Sequence, residues 1–390
     1  RRLLPWFAVL LVGGLLGPLP VARAGPDVVG PFVGHTTSTS ALIWAYAGRQ
    51  RLGIYYRRHD EPKGSGRTAS MPPYRVGPGM CRVRLTGLRP RTKYIYAPSV
   101  NGRVVDDKVG SFTTAPVEGA PARFRVGFTS CMKPDHETHH SFDTLRRQKP
   151  DLLLLLGDNV YSDTTNRGRI WQHHLDMRGV RTFNRLVRLV PTLAVWDAHD
   201  FAGDDSDGTA PGKQESLRAF LELCPNPSFG LPDVPGVFYR FQGANVDFFM
   251  LDVGYHRSPN KAPDGPGKTM LGRGQLRWLV EGLRTSKAPF KVLVSGSTIE
   301  EKAHDCWRSF GHELRQLYGA IRQHGVTGVV LLSGDLHRSI VKVHPAQKTG
   351  FYDLAEVISS GIAVGGPMNF ATVDFDTTLA DPTMTARIVE

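Results

Sequence analysis

Reactive side chains follow the apolar runs in the second part of the sequence. Five of the six runs there end at or near a residue that could bind a metal or move a proton: Cys131, Asp158, Asp197, Asp252, and Asp335 with His337. Ligands of open α/β sheets bind beyond the carboxyl ends of the strands, so we expect these side chains to converge on one rim. A single aspartate there is commonly just the N-cap of the next helix. Several of them, with a cysteine and a histidine, are better explained by a metal site.

The types of donor indicate the kind of metal. GDNVY places Asp158 and Tyr161 three positions apart after one run, and LSGDLH places Asp335 and His337 two positions apart after another. Carboxylates with one imidazole suit hard or borderline cations, and thiolate and phenolate ligands additionally favour a ferric ion. Paired metal ions activate a water molecule and clamp the attacked and leaving oxygens of a phosphoryl group. The motifs therefore indicate phosphoryl chemistry.

A concentration of acids in an otherwise basic chain adds to this set. It comprises Asp197, Asp200, Asp204, Asp205 and Asp207. A solvated acidic loop would account for some of them, whereas beside a cation they become stabilising instead of mutually repulsive. His199, in WDAHD, is a candidate to protonate the leaving group or to bind the substrate phosphate. The alternative, a buried histidine bonded to a neighbouring carboxylate, is equally open.

The runs that must position these residues are typical of strands in a covered sheet. They span residues 124–128, 152–156, 192–196, 246–251, 291–295 and 329–333. Uninterrupted apolar strands are what a sheet with both faces buried requires. The segments 214–223, 274–283 and 312–324 have large apolar residues at helical spacing. Residues 118–390 are therefore predicted to form an α/β layered domain.

Residues 25–117 follow another pattern. Runs rich in β-branched and aromatic residues, 41–46, 52–56 and 81–85, alternate with turns that contain Gly and Pro. This predicts a small all-β domain joined to the α/β domain near residue 117. The stretch LTGLRPRTKYIYAPSVNG resembles a corner of fibronectin type III and related sandwiches. Such a sandwich usually carries no chemistry of its own, so we expect it to serve packing or partner contact.

Residues 1–24 have the three parts of a secretory signal. A basic start is followed by an apolar run and by the small-residue site Ala22-Arg23-Ala24. Glycines and prolines interrupt the run, and it is shorter than the ~20 apolar residues of a spanning helix. We therefore expect a cleaved signal and a secreted or periplasmic protein without a stable membrane anchor. Arg1-Arg2 suggests twin-arginine export.

The amino-acid composition excludes several structural classes of protein. The 390 residues are 41% hydrophobic and 22% charged, which excludes collagen, coiled coil and disorder. Four cysteines in so long a chain cannot form a disulfide scaffold. Cys81, Cys224 and Cys306 could pair in an oxidising compartment, whereas Cys131 should stay unpaired if it binds metal.

The net charge of +12 suits anionic partners, but charge alone does not indicate chemistry. The chain has no run of Lys and Arg interleaved with aromatic residues, so no specific nucleic-acid binding is expected. Small phosphate esters are the expected substrates, and a secreted polyanion-binding protein is the non-enzymatic alternative. His136-Glu137-Thr138-His139-His140 formally matches the zinc metalloprotease motif HExxH, but no nearby Glu follows as a third ligand. An exposed polar helix start after Pro134 explains that motif better.

In their order, the motifs resemble the alkaline phosphatase D (PhoD-like) family of metallophosphatases. The resemblance covers about residues 27–366 and includes Ser130-Cys131, GDNVY, WDAHD, KQESLRAFLEL, MLGRGQLRWL and LSGDLH. It implies a sheet sandwich between helices, with a ferric ion bound by Cys131, Asp158 and Tyr161, and calcium beside it. Asp335 and His337 would lie on the other side of the cluster, with Asp197 and Asp204 as further metal ligands. The implied reaction is hydrolysis of phosphomonoesters and, in some members, phosphodiesters.

Three positions depart from the family pattern. Ala198 replaces the second Asp of the usual W-D-D-H, and Asp204 stands where an Asn is common. Gly254 occupies the Arg position of the frequent LDxR motif, so Arg257 or His256 would have to contact the substrate phosphate. The expectation is that hydrolysis survives these changes; a decayed site is the alternative.

Overall fold

The computed structural model describes residues 28–48, 50–70, 80–134, 139–300, 304–365 and 368–390. The predicted signal peptide, residues 1–24, lies outside this part of the chain, and so do His136, Glu137 and Thr138 of the HExxH match. Within the described ranges, no helix has the length and apolar content that a membrane crossing requires.

The N-terminal part consists of two antiparallel sheets. Its strands are β1 Val29–Thr36, β2 Ala41–Tyr46, β3 Leu52–Arg58, β4 Arg67–Ser70, β5 Met80–Leu85, β6 Lys93–Val100, β7 Arg103–Val104 and β8 Gly110–Thr113. One sheet has the order β1-β2-β5, and the other has the order β4-β3-β6-β7 with β8 paired to β6. Both sheets bury residues in a common core, among them Ile43, Ile54 and Phe112. This arrangement matches the small all-β sandwich expected from the sequence.

Two mixed sheets form the larger part. Their strands are β9 Arg123–Thr129, β10 Leu152–Leu156, β11 Thr192–Val195, β12 Tyr239–Gly243, β13 Val246–Met250, β14 Phe290–Ser295, β15 Val329–Ser333, β16 Ser339–His344, β17 Leu354–Ser359, β18 Phe370–Asp376 and β19 Thr383–Val389. The first sheet has the order β11-β10-β9-β18-β19, and the second has the order β12-β13-β14-β15-β17-β16. Strands β9 to β11 are parallel, as are β13, β14, β15 and β17, so the carboxyl ends within each set meet at one edge.

Helices cover the outer faces of both sheets. They are α1 His139–Arg147, α2 Arg167–Gly179, α3 Arg181–Leu189, α4 Ala198–Phe201, α5 Lys213–Leu223, α6 Gly272–Thr285, α7 Gly311–Gln323 and α8 Ala346–Thr349. Apolar residues of α1, α2, α3 and α5 pack on the first sheet. Those of α6 and α7 pack on the second. The predicted layered α/β fold is thus confirmed, with the predicted helices shifted by at most two residues at either end.

Strand β10 shows why the strand runs are uninterrupted. Leu153 and Leu155 pack against the helices on one face. Leu154 and Leu156 point to the other face, into the apolar layer between the two sheets. Because both faces of β10 are buried, every position of Leu152–Leu156 must be apolar, and the alternation of a half-exposed strand does not occur.

A buried arginine joins the N-terminal sandwich to the helical layer. The Arg178 guanidinium lies 4.0 Å from the centre of the Trp44 ring and 5.1 Å from that of Phe32, and its Nη2 donates to the Leu223 carbonyl at 2.6 Å. The indole N–H of Trp44 donates to the carbonyl of Glu222 at 3.1 Å. Burial lowers the pKa of Arg178 to about 10. The stacking on two aromatic rings therefore offsets part of the cost of burying this charge.

Replacement of Arg178 tests whether packing or charge dominates at this junction. Arg178→Ala leaves a cavity, and we expect the free energy of unfolding to fall by about 2–4 kcal/mol in a denaturant titration. Arg178→Met fills a similar volume without a buried charge, so we expect a change below about 1.5 kcal/mol. If both variants lose the same free energy of unfolding, the hydrogen bond to Leu223 contributes more to stability than the packing of the side chain.

Candidate active site

The predicted metal-binding residues lie on loops that leave the carboxyl ends of four strands. Cys131 follows β9, Asp158 follows β10, Asp197 follows β11, and Asp335 with His337 follows β15. Cys131, Asp158 and Asp197 are buried, with exposed fractions of 0%, 3% and 4%. The first three strands belong to one sheet and β15 belongs to the other, so the site draws its side chains from both halves of the sandwich.

Short distances connect these side chains. Sγ of Cys131 lies 3.5 Å from Oδ2 of Asp158, and the Tyr161 hydroxyl lies 3.4 Å from Nε2 of His337. The two sheets are bridged at this point by the backbone N–H of Asp335, which donates to Oγ of Ser130 at 3.2 Å. The structure thus places residues from distant parts of the chain within one small region.

The backbone at these positions is unusual. Four of the residues have positive φ angles: 59° at Cys131, 47° at Asp158, 69° at Asp335 and 57° at His337. Residues other than glycine rarely adopt this conformation, which costs on the order of 1–3 kcal/mol each and is concentrated at functional sites. Surrounding contacts must therefore impose it.

Asp200 supplies part of that constraint. Its carboxylate accepts hydrogen bonds from the backbone N–H of Asn159 and of Val160, both at 3.0 Å, and it forms a capping box with Asp197 at the start of α4. These bonds fix the loop that carries Asp158 and Tyr161. Asp200, one of the five clustered aspartates, is thus a supporting residue.

Glycines allow the loops to approach closely. Gly157 has φ +101°, and a Cβ there would lie 2.5 Å from the Cβ of Asp197. A Cβ at Gly334 would lie 2.6 Å from Oγ of Ser130. Both separations are too short for real atoms, so any side chain at either position would push the candidate ligands apart.

Burial and mutual repulsion shift the ionisation of the site. The pKa of the Cys131 thiol is raised well above its usual value, by burial first and then by the charge of Asp158. Burial also raises the pKa of Asp158 and, together with the charges of Asp158 and Asp335, the pKa of Asp197. Burial is the main cause of the raised pKa of Tyr161. A bound cation would reverse these shifts by favouring the charged forms.

The donor set fits a metal in type and spacing. Atoms that share one metal ion at bond lengths of about 2.0–2.3 Å lie roughly 3–3.6 Å apart. The Cys131–Asp158 separation of 3.5 Å falls in this range. The 3.4 Å between the Tyr161 hydroxyl and Nε2 of His337 brings the two groups of predicted ligands into contact. Across the described residues, no three His, Cys, Asp or Glu side chains already form a closed binding group. The fit in spacing therefore extends to pairs of donors only, and the types of the donors carry the case for a metal.

His199 lies at the edge of this cluster. Its Nδ1 is 2.6 Å from Oδ1 of Asp163, its Nε2 is 3.7 Å from Oδ1 of Asp204, and its ring centre is 4.1 Å from that of Tyr161. The side chain is 18% exposed. His199 is thus bonded to a carboxylate, as expected of a structural histidine. It is also partly accessible to solvent, as a proton donor or a phosphate-binding residue must be.

Two predicted site residues lie apart from the buried group. The side chain of Asp204 is 86% exposed and contacts His199. Arg257 is 2% exposed, and its Nη2 donates to the Ser206 carbonyl, while Nη1 lies 4.0 Å from Oδ2 of Asp305. The structure therefore buries Arg257 beside acidic residues, with its Nε and Nη1 lacking a hydrogen-bond partner among the described residues.

Asp252 has a structural role. It is fully buried, and its carboxylate accepts hydrogen bonds from Nε1 of Trp196 at 2.8 Å and from the backbone N–H groups of Val237, Gly254 and Tyr255 at 2.9–3.0 Å. Three of these donors bond to Oδ1 and one bonds to Oδ2, so the carboxylate is held by hydrogen bonds within the fold. Its bonds to the backbone of Gly254 and Tyr255 stabilise the turn that follows β13, and it is not a helix N-cap, since the next helix begins at Gly272.

The sequence analysis missed Asp163 and Ser130 as site residues. Asp163 stands two positions after Tyr161, and Ser130 precedes Cys131, so adjacency to the motifs was the signal available. Of the cysteines, Cys131, Cys224 and Cys306 are buried with free thiols. The side chain of Cys81 lies outside the described part of the chain.

Comparison with known proteins identifies similar chains. The model of the PhoD-like phosphatase family matches residues 126–386, more than half of the chain. Alkaline phosphatase D of Bacillus subtilis (strain 168) is 24% identical over 313 residues, which cover 66% of this chain and 53% of that protein. The chain therefore spans about half the length of this curated relative.

Two solved structures share the fold. The structure of PhoD has a TM-score of 0.75 at 18% identity, with 93% of this chain and 90% of that chain covered. A purple acid phosphatase from yellow lupin (Lupinus luteus) seeds has a TM-score of 0.61 at 12% identity, with 90% and 70% covered. At such identities these likenesses show the fold alone.

Replacement of Asp252 separates structural from functional carboxylates. In Asp252→Asn an amide N–H₂ faces groups that are themselves donors, so we expect the free energy of unfolding to fall by about 2–4 kcal/mol while the metal content of the folded protein stays unchanged. The exposed Asp233→Asn is the matched control, with an expected change within about 0.5 kcal/mol. Loss of metal in folded Asp252→Asn would contradict this assignment.

Proposed function

Because the chain belongs to the PhoD-like phosphatase family, we propose that it is a secreted, metal-dependent hydrolase of phosphate esters. The observation that carries the proposal is the convergence of Cys131, Asp158, Tyr161, Asp335 and His337 at one rim, on loops with strained backbone. A purely structural cluster would not require buried acids to lie together at a cost to their ionisation.

The donor types support a division of the metal ligands. Cys131, Asp158 and Tyr161 would hold a ferric ion, because thiolate and phenolate favour it. Asp197, Asp335 and His337 would hold calcium or another divalent ion on the other side of the cluster. Asp204 would need to turn inward from its exposed position to join them. When bound, such ions supply an activated water and stabilise the charge of the phosphoryl oxygens.

The chain's own residues would move the proton. Asp163 accepts from Nδ1 of His199 in the tautomer that this bond favours, and Nε2 then lies 3.7 Å from Oδ1 of the exposed Asp204. His199 would hold the proton that the leaving oxygen takes up, with Asp163 as the positioning residue. The ring of Tyr161 beside His199 limits the orientations of the imidazole. Arg257 would partly counter the charge of Asp197 and act on substrate only indirectly.

The substrates and the location are parts of the same proposal. Phosphomonoesters, and phosphodiesters as a second class, would fit a rim whose carboxylates and histidine hold metal ions. The net charge of +12 would help to collect these anionic substrates. Residues 1–24 would direct export, through the twin-arginine route if Arg1-Arg2 is read as its signal. The division into a sandwich of residues 25–117 and a catalytic domain of residues 118–390 assigns the chemistry to the second.

Elemental analysis of the protein, purified without chelators or a metal-binding tag, tests the site first. We expect stoichiometric iron together with calcium, and we expect Cys131→Ser to lose most of the iron because a hydroxyl is a poorer ligand than a thiolate. Cys224→Ser, at another buried free thiol, is the control and should retain the metal. Metal-free protein without ester hydrolysis would mean that Ala198 and Gly254 mark a decayed site.

The role of His199 can be tested with leaving groups of different basicity. We expect His199→Gln to lower kcat for an alkyl phosphate by roughly 10²–10⁴-fold and to affect p-nitrophenyl phosphate much less, because an acidic phenol needs no proton. Asp163→Asn should show the same selectivity with a smaller loss. His59→Gln, in an exposed turn, should change neither rate. Equal losses on both esters would instead assign His199 to phosphate binding.

A further inference from the structure

A basic groove lies on the outer face of the second sheet, and none of the candidate active-site residues line it. Helices α6 and α7 form its walls, and its volume is about 1160 Å³. Both helices begin on the carboxyl side of the sheet, since α6 follows β13 and α7 follows β14. The groove therefore starts near the active-site rim and runs toward the opposite edge of the sheet.

Exposed arginines line the groove along its length. Arg273, Arg277 and Arg284 lie on α6, and Arg322 lies in the last turn of α7. At 100° per residue, spacings of four and eleven positions bring the three α6 side chains to nearly the same face of the helix. At 1.5 Å per residue, they extend over about 16 Å. The groove thus presents a row of guanidinium groups.

Few carboxylates compensate this charge. Glu281 pairs with Arg284 at 2.7 Å. Glu313 is buried and accepts the backbone N–H groups of Met270 and Leu271 at 3.0 and 2.8 Å. In the described structure, Arg273, Arg277 and Arg322 have neither an ion pair nor a side-chain hydrogen bond. Arg273 and Arg277 near the start of α6, and Arg322 near the end of α7, therefore remain available to an external anion.

The end of the groove that is nearest the site holds a further cation. Lys268 is 6% exposed, and its Nζ donates to the Asn260 carbonyl at 2.9 Å and lies 4.6 Å from the centre of the Phe310 ring. Nδ2 of Asn260 in turn donates to the carbonyl of Asp205 at 2.7 Å. This chain of contacts connects the groove to the acidic loop that carries Asp204.

We propose that the groove binds a linear phosphate polymer that lacks bases and so holds the enzyme on an anionic chain while the catalytic rim stays open. The planar guanidinium matches phosphate oxygens in pairs, and a row of such groups suits a polymer better than a single ion. Base stacking on aromatic side chains is a main source of affinity for single-stranded nucleic acids. The described residues that line the groove include no Phe, Tyr or Trp, so the groove fits a phosphate chain without bases.

Binding of fluorescently labelled long-chain inorganic polyphosphate, followed at several salt concentrations, tests the proposal. The variant Arg273→Gln/Arg277→Gln/Arg322→Gln should bind at least about tenfold more weakly at low salt. The slope of log K against log salt should fall by about 2, because each lost phosphate contact on a single strand contributes about 0.7. Orthophosphate at equal total phosphate should not compete.

The control Arg51→Gln/Arg103→Gln/Arg181→Gln removes the same charge from exposed positions elsewhere. It should change the affinity less than about threefold, because charges beyond a Debye length are largely screened. Both variants should retain the melting temperature and the hydrolysis of a small ester. Equal weakening in the control would overturn the proposal, since the groove would then not be the site. Tighter binding of a single-stranded oligodeoxynucleotide of equal charge, lost in the same groove variant, would overturn it in favour of nucleic acid.

Discussion

The structure brings several acidic side chains together in the buried interior of the candidate site. Asp158 and Asp197 lie beside the Cys131 thiol in a region that excludes water, and burial raises the pKa of all three groups. Such an arrangement is unfavourable unless the surrounding fold enforces it or a cation neutralises it. The other features of the region serve this requirement. Asp200 anchors the loop of Asp158, glycines such as Gly157 permit the close approach, and left-handed backbone directs the ligands inward.

The layered fold explains how the strain is tolerated. Each candidate ligand follows a strand that is buried on both faces, so the strand end is fixed by the apolar layers above and below it. At Cys131, Asp158 and Asp335 the left-handed backbone falls on the second residue beyond the strand. The N-terminal sandwich adds support from the side, where Arg178 packs against Trp44 and Phe32.

Much of this organisation could be predicted from the sequence, because strand runs and motifs are local. The run Leu152–Leu156 and the spacing of Asp158 and Tyr161 placed the loop correctly. The roles of Asp252 and Arg257 could not be predicted, since they depend on partners such as Trp196 and Ser206 that are distant in sequence. The groove arginines were missed for the same reason. They form no run along the chain, and only helical geometry and the neighbouring α7 bring them together.

The bridge between Ser130 and Asp335 has a consequence for how the molecule can vary. One sheet carries Cys131, Asp158 and Asp197, and the other carries Asp335 and His337. The thickness of the apolar layer between the sheets therefore also sets the distance between the two groups of candidate ligands. Phe248 and Phe375 contact each other across that layer. Such interior side chains therefore help to set the geometry of the site without contacting it. A change in the size of these side chains would alter the distances between the candidate ligands of the two sheets, even with every candidate ligand retained.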